Sequence, residues 1–226
     1  MNIHSGRVLV SSLVISSSLF VVSEAVSADV SGAAIPTTIL AASFDGRPGP
    51  GNTGVPSGTA LRVHHGNLTI RTPGAVVDGL DVRGRVVIAA PNVTVRSTVI
   101  RGAGRPKRSV GLLSITHKRA RNFTVEDVTI QPSRASVNYD AVKVNRPGTF
   151  RRLNVSGTVD GVLIYGNRVR VEGSYLHGFR HYRSDPNQRG KASHDDAIQI
   201  LSGRGHRIAG NTLEGAYNAA VMVTQD

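Results

Sequence analysis

The segments Val125-Glu-Asp-Val-Thr-Ile-Gln-Pro132 and Phe150-Arg-Arg-Leu-Asn-Val-Ser-Gly157 share one frame. Apolar or small residues stand at relative positions 0, 3 and 5, and a Gly or Pro stands at 7. Four more segments follow it: Val77/Leu80/Val82 with Gly84, Val95/Thr98/Ile100 with Gly102, Val171/Ser174/Leu176 with Gly178, and Ile208/Asn211/Leu213 with Gly215. Their starts lie 18, 30, 25, 21 and 37 residues apart, a mean of about 26. A second strand recurs between them as Gly111-Leu-Leu-Ser-Ile115, Asp140-Ala-Val-Lys-Val144, Asp160-Gly-Val-Leu-Ile164, Asp196-Ala-Ile-Gln-Ile200 and Asn218-Ala-Ala-Val-Met222. Each alternates with period two, and no segment sustains a 3.6 period.

Short β-branched strands closed by Gly turns at a period of 20–30 residues describe a solenoid of strands. The regular Leu and Asn of a leucine-rich repeat are missing, and a propeller blade would need four strands in a longer unit. The sequence therefore predicts an all-β, right-handed parallel β-helix of about six to seven coils, each stacked about 4.8 Å on the next. Position 1 of the first five repeats reads Asp78, Arg96, Glu126, Arg151, Glu172, so stacking predicts a ladder of alternating charge. Asp140, Asp160, Asp196 and Asn218 fall at the start of the second strand, where a corner role for each is expected. Four Asn-x-Ser/Thr sequons, at Asn67, Asn92, Asn122 and Asn154, recur at strand starts and read as turn residues.

Outward from the repeats, the chain changes character. Residues 44–56 are dense in Gly and Pro and can be neither helix nor central strand, so they form a lead-in to the 44–226 domain. Residues 29–43 read as a linker. Residues 1–28 read as a secretory signal, with His4 and Arg7 ahead of the apolar run Val8–Val22 and small residues at Val26-Ser27-Ala28. Fifteen residues at 1.5 Å each fall short of a hydrocarbon layer of about 30 Å, so no membrane span is expected. At the other end, Ala220-Val-Met-Val-Thr-Gln-Asp226 has no polar closing segment, and a truncated or open solenoid end is expected there.

Composition narrows the function. The 226 residues include no Cys and no Trp, which excludes disulfides, Cys-ligated zinc, iron–sulfur clusters and a thiol nucleophile. Of 27 cations against 15 carboxylates, 23 are Arg, and the net charge of +12 points to an anionic partner. Only ten residues are Phe or Tyr and no recognition motif is present, which argues against a nucleic-acid binder.

The stretches Gly49-Pro-Gly-Asn-Thr-Gly-Val-Pro56, Val76-Val-Asp-Gly-Leu80, Ala90-Pro-Asn-Val-Thr94 and Ser193-His-Asp-Asp-Ala-Ile-Gln-Ile200 resemble secreted bacterial β-helix proteins of the pectate-lyase-like superfamily. The resemblance covers roughly residues 44–226. It implies the fold and a carbohydrate-associated role, and no defined substrate.

The chemistry gathers around the longest loop, between Gly178 and His194. It holds Arg180, His181, Arg183 and Asp185, flanked by His177 and His194-Asp195-Asp196. Uronate β-elimination needs a base for the C5 proton and a cation for the developing enolate. On that reading His177, His194 and Asp195 are the catalytic candidates. Lys143, Tyr165, Arg180, Arg183 and Gln199 would meet the substrate. Calcium would bind at Asp195 and Asp196, although the ordered Asp spacing of a dedicated calcium loop is missing. Glycoside hydrolysis instead needs two carboxyl groups, and Asp195 and Asp196, facing opposite ways on one strand, require Asp160 or Asp140 from a neighbouring coil. Polygalacturonases carry Asn-x-Asp, Asp-Asp and Gly-His-Gly motifs, which Asn138-Tyr139-Asp140, Asp195-Asp196 and Gly205-His206 partly resemble. The expectation is an extracellular protein acting on an acidic polysaccharide, by lyase-like cleavage first. A non-catalytic carbohydrate-binding or surface module and a polygalacturonase-type hydrolase are the alternatives.

Overall fold

A computed structural model describes residues 46–224, so the signal and linker assigned to residues 1–43 lie outside it. Three sheets, all parallel, run the length of the domain. The first stacks seven strands: Arg62–His65, Leu80–Arg83, Val99–Ile100, Thr129–Ile130, Asn154–Ser156, Tyr175–His177 and Thr212–Leu213. The second also has seven: Leu68–Ile70, Val86–Ile88, Val110–Ile115, Tyr139–Val144, Val162–Ile164, Asp196–Ile200 and Ala219–Val223. The third has six: Val76–Asp78, Thr94–Arg96, Phe123–Glu126, Gly148–Arg151, Val169–Glu172 and Arg207–Ala209. The chain visits first, second and third sheet in turn and then climbs one coil. This is a parallel β-helix. No described helix is long and apolar enough to cross a membrane.

Each sequence repeat spans a third-sheet strand, a kink and a first-sheet strand. Position 0 faces inward on the third sheet, where Val95, Val125, Phe150 and Val171 are fully buried. Positions 3 and 5 face inward beyond the kink, as Val128/Ile130 and Leu153/Val155 do. At two of the three polar position-3 residues the side chain satisfies the kink's own backbone, whereas Asn211 bonds Val171 and Ser174 one coil below. Thr98 Oγ1 donates to the Arg96 carbonyl at 2.7 Å, and Ser174 Oγ to that of Glu172 at 3.1 Å.

The frame conceals a conformational rule. Position 2 of all six repeats has positive φ: Gly79 (66°), Ser97 (44°), Asp127 (54°), Arg152 (49°), Gly173 (57°) and Gly210 (63°). One left-handed residue per coil turns the chain from the third sheet to the first. Half of these corners use glycine and half tolerate the strain of a side chain.

The predicted charge ladder forms in register. Asp78 pairs with Arg96, Arg96 with Glu126, Glu126 with Arg151, and Arg151 with Glu172 on successive strands. Arg96 Nε lies 2.9 Å from Asp78 Oδ2, and Arg151 Nε donates to Glu126 Oε2 at 2.6 Å. At its end the ladder stops in register, since Glu172 faces Ala209, and Arg207, opposite Arg170, reaches Glu172 diagonally at 2.7 Å. These pairs are solvent-facing and contribute a few tenths of a kcal/mol each. Of the sequon residues, Asn92 and Asn122 have positive φ (59° and 52°) and sit at turns, as read from the sequence. The last repeated strand slips by one: Ala219, not Asn218, pairs with Asp196.

The Gly/Pro-rich lead-in runs along the outside of the stack. Gly46–Pro48 border a hollow with Gly210–Glu214 of the last coil. Further on, Gly54 N donates to the Arg152 carbonyl at 2.7 Å and Val55 N to Thr129 Oγ1 at 3.1 Å. A Cβ on Gly54 would run into Thr129 Oγ1 and Asn154 Cβ, so only glycine lies this flat on the first sheet. The segment is thus a strap running against the stacking direction. At the kinks, Gly79→Ala is expected to destabilise the protein by about 1 kcal/mol and Ser97→Gly to be neutral or stabilising by about 0.5–1 kcal/mol. Urea melts of the two variants check this, and equal, same-sign effects would contradict the corner rule.

Candidate functional site

The three corners of each coil differ in length. Third-to-first turns are a single kink, whereas first-to-second connections include the loops 101–109, 131–138 and 178–195. These three loops rise beside the second sheet and wall a hollow of about 170 Å³ on its outer face. This is small against the roughly 300–1,000 Å³ of pockets for drug-sized ligands. Its base is Asp140, Lys143, Asp160, Leu163, Tyr165 and Gln199.

Each loop is fastened. Buried Tyr139 donates its hydroxyl to the Ala103 carbonyl at 3.0 Å, fixing 101–109 so that Ser109 reaches the base. In the long loop, Asp185 caps the single 3-10 turn Pro186–Gln188, and Arg189 (φ 57°) reverses the chain. Ser193 N donates to the Tyr182 carbonyl, and Tyr182 N to Ser193 Oγ, both at 2.8 Å. The tip then reaches across an intervening coil, where Asn187 Nδ2 donates to Asn138 Oδ1 at 2.9 Å. That reach brings Asp185, Asn187 and His194 to the hollow.

At the base, Lys143 Nζ lies 3.0 Å from Asp140 Oδ2 and donates to Ser109 Oγ at 2.7 Å, while Ser109 Oγ donates to Asp140 Oδ2 at 2.6 Å. The triangle closes on itself. One coil on, Asp160 occupies the same register, since Val142 pairs with Val162; a further coil on is Asp196, since Val162 pairs with Ile198. Three carboxyl groups therefore stand in a column, with adjacent strands about 4.8 Å apart. Burial, reinforced by the charge of Asp140, pushes the Asp160 carboxyl up to about 8. The Asp196 amide, donating to Asp160 Oδ1 at 2.9 Å, offsets this only in part. Asp196 is fully buried and also raised, first by desolvation; its Oδ1 accepts from Asn218 Nδ2 at 2.7 Å, and its Oδ2 has no partner among the described residues. Burial and the same two carboxylates, Asp140 and Asp160, raise the Tyr165 hydroxyl.

The structure brings some of the sequence candidates together and separates others. Lys143, Tyr165, Gln199 and His194 all line the hollow. His177 does not: it stands on the first sheet, stacked on Tyr175 at 4.0 Å, with its Nε2 3.0 Å from Asn154 Oδ1. Arg180 and Arg183 are exposed on the loop, outside the lining. Asp195 is 1% exposed and holds the loop's return. Its Oδ1 accepts from His181 Nδ1 at 2.7 Å and its Oδ2 from the Tyr217 amide at 2.8 Å, with His181 stacked on Tyr217. His206 lies at the opposite turn, beside the Val169 amide, so the third polygalacturonase-like motif is not at the hollow.

The calcium assignment at Asp195 and Asp196 does not fit these residues. Both oxygens of Asp195 already accept from N–H donors, as does one oxygen of Asp196, and the two carboxylates serve different neighbours. No group of three or more metal-ligating side chains occurs among the described residues. Asp140 and Asp160, read as corner residues and named only as partners for Asp195 or Asp196 in the hydrolase alternative, are themselves the pair at the hollow. The signal available was their repetition: Asp opens the second strand in three successive coils, and parallel stacking makes such a repeat a column of like charge.

Two outcomes follow from this arrangement. A folded value of about 8 against the ordinary 3.8 means that the native state holds the Asp160 proton more tightly than the unfolded chain. The stability this contributes is complete below about pH 4 and is lost as pH rises through about 8. Asp160→Asn keeps the acceptor for the Asp196 amide, so the variant should gain stability relative to the native chain on the alkaline side, as melts across the pH range would show. Asp195→Ala should cost about 2–3 kcal/mol by stranding His181 and the Tyr217 amide, with increased proteolysis of residues 178–195 as the readout. No family model, curated protein or solved structure matches this chain.

Proposed function

We propose that the protein is a secreted, polysaccharide-active enzyme that hydrolyses glycosidic bonds in an acidic, uronate-containing polymer at the Asp140–Asp160 hollow. The observation that carries this reading is the carboxyl pair itself. Glycoside hydrolysis uses one carboxylic acid that keeps its proton near neutrality and one carboxylate beside it. Asp160, held up to about 8, has the properties of the acid. Asp140, braced by Lys143 and Ser109, has those of the carboxylate. In this scheme Asp160 gives its proton to the leaving glycosidic oxygen as the bond to the anomeric carbon breaks. Asp140 attacks that carbon as the bond breaks, and a water that returns its proton to Asp160 then displaces Asp140 and leaves its oxygen as the new hydroxyl. Gln199, Tyr165 and Asn187, which line the same hollow, would hold sugar hydroxyls.

Charge supports the acidic substrate. Arg105, Lys107, Arg108, Arg134, Arg180, Arg183, Arg189 and Lys191 rise on the three loops, exposed and in no ion pair among the described residues. They form a basic rim that raises the local concentration of a polyanion above the carboxyl pair. The resemblance to the pectate-lyase-like superfamily and the secretory pattern of residues 1–28 agree with an extracellular polysaccharide.

The same rim favours a second reading, lyase-like β-elimination, with His194 as the base and a rim cation on the uronate carboxylate. Against it, Lys143, the cation at the base, is already engaged by Asp140. The two chemistries give different products. Incubation with uronate polymers should release reducing ends without the ultraviolet absorbance of an unsaturated uronate, with activity falling as pH rises through about 8. Asp160→Asn should lower turnover by about 10²–10⁴-fold with binding retained. An unsaturated product would establish the lyase reading instead, and tight binding without turnover by the native chain would mark a carbohydrate-binding module.

A further inference from the structure

The turns that lead from the second sheet to the third form an edge that meets the hollow only through Tyr165. They comprise residues 71–75, 89–93, 116–122, 145–147, 165–168 and 201–206. Seven cations stand on them, Arg71, Lys118, Arg119, Arg121, Arg146, Arg168 and Arg204, and not one Asp or Glu. None of the seven forms an ion pair among the described residues. All but Arg146 are exposed.

The turns bond to one another coil by coil along this edge. Asn92 N donates to the Arg121 carbonyl at 2.9 Å, Asn122 N to that of Pro147 at 3.0 Å, Gly148 N to that of Arg168 at 3.4 Å, and Arg168 N to that of Arg204 at 2.9 Å. Two glycines set the tight pitch. A Cβ on Gly166 would strike the Asn145 carbonyl, and one on Gly203 would strike that of Gly166. Arg121, Arg146, Arg168 and Arg204 therefore come from four successive coils, one charge per strand spacing of about 4.8 Å. Between the last two lies an open hollow of about 470 Å³, lined also by Asn167 and Gly205.

Like charges stacked one strand apart repel. Along the Asp78–Glu172 ladder of the third sheet the sign alternates from coil to coil; on this edge it does not. We propose that the second-to-third turn edge is a docking rail for an anionic polysaccharide bearing one carboxylate per sugar, bound along the stack separately from the Asp140–Asp160 hollow. Over the last four coils, from residues 116–122 to 201–206, every turn carries at least one cation, which suits a polymer with one charge per ring. A single-stranded nucleic acid is the poorer fit, because the edge carries one aromatic side chain, Tyr165, which lines the other hollow, and so offers no row for base stacking.

The test uses polygalacturonate as probe in binding titrations at several salt concentrations. The variant is the quadruple Arg119→Gln, Arg121→Gln, Arg168→Gln, Arg204→Gln, with the corresponding Arg→Lys quadruple as a charge-preserving control and melting curves to confirm folding. The Gln variant should bind about tenfold or more weakly, with a shallower dependence of affinity on salt, and the Lys variant should bind like the native chain. Asp160→Asn should leave this binding intact, so the rail can stand even if the hydrolytic reading fails, and turnover on short oligosaccharides should survive in the Gln variant. Unchanged polygalacturonate binding in a folded Gln variant would overturn the proposal, as would tighter binding of duplex or single-stranded DNA than of polygalacturonate that is lost in the same variant.

Discussion

Everything in this molecule depends on coil-to-coil backbone hydrogen bonding in unbroken register. Each strand of the three sheets bonds to the strand one coil below and one coil above, so any residue repeated at the same coil position becomes a column. The consequences differ with chemistry. Alternating charge makes a mutually supportive ladder on the third sheet. Repeated Asp makes a column in which burial and the neighbouring carboxylates raise the proton affinity of its middle member, Asp160. Repeated Arg makes a row of unrelieved positive charge. A parallel solenoid converts sequence periodicity directly into electrostatics, which a globular fold with mixed topology does not.

Much of the fold was legible for that reason. The 0, 3, 5 and 7 frame located the third-sheet strands, the first-sheet strands and the closing turns, and aligning the repeats gave the ladder partners residue by residue. The kink at position 2 was not legible. Gly79, Ser97, Asp127, Arg152, Gly173 and Gly210 share a backbone conformation but no chemistry, and Arg152 carries no signal of a left-handed residue. The strap of residues 46–60 was equally hidden, because turn-rich composition tells what a segment cannot be and not what it lies against.

The site was legible in outline only. The sequence located the 178–194 loop and the outward strip with Lys143, Tyr165 and Gln199, because period-two alternation fixes which side chains face out. It drew His177 and Asp195 into the same group by proximity along the chain. In space, the corner between first and second sheets separates His177 from the hollow, and Asp195 is consumed in closing the loop through His181 and Tyr217. Asp140 and Asp160 looked like corner residues, and Asp160 does accept the Asp196 amide as a corner residue would. The structural duty and the chemical duty fall on one side chain, and spacing alone does not separate them.

The strap carries a consequence for how the chain is assembled. A solenoid of nearest-neighbour coils can in general zip up from any point as the chain emerges. Here residues 46–48 border residues 210–214, and Gly54 is bonded to Arg152, so the first part of the domain to be synthesised has its resting place on coils made last. Until then the outer face of the first sheet is bare, with Thr129 and Asn154 lacking the backbone that covers them. Contacts between the strap and residues 210–214 therefore cannot form until those coils have been made, so the first residues of the domain wait for its last ones.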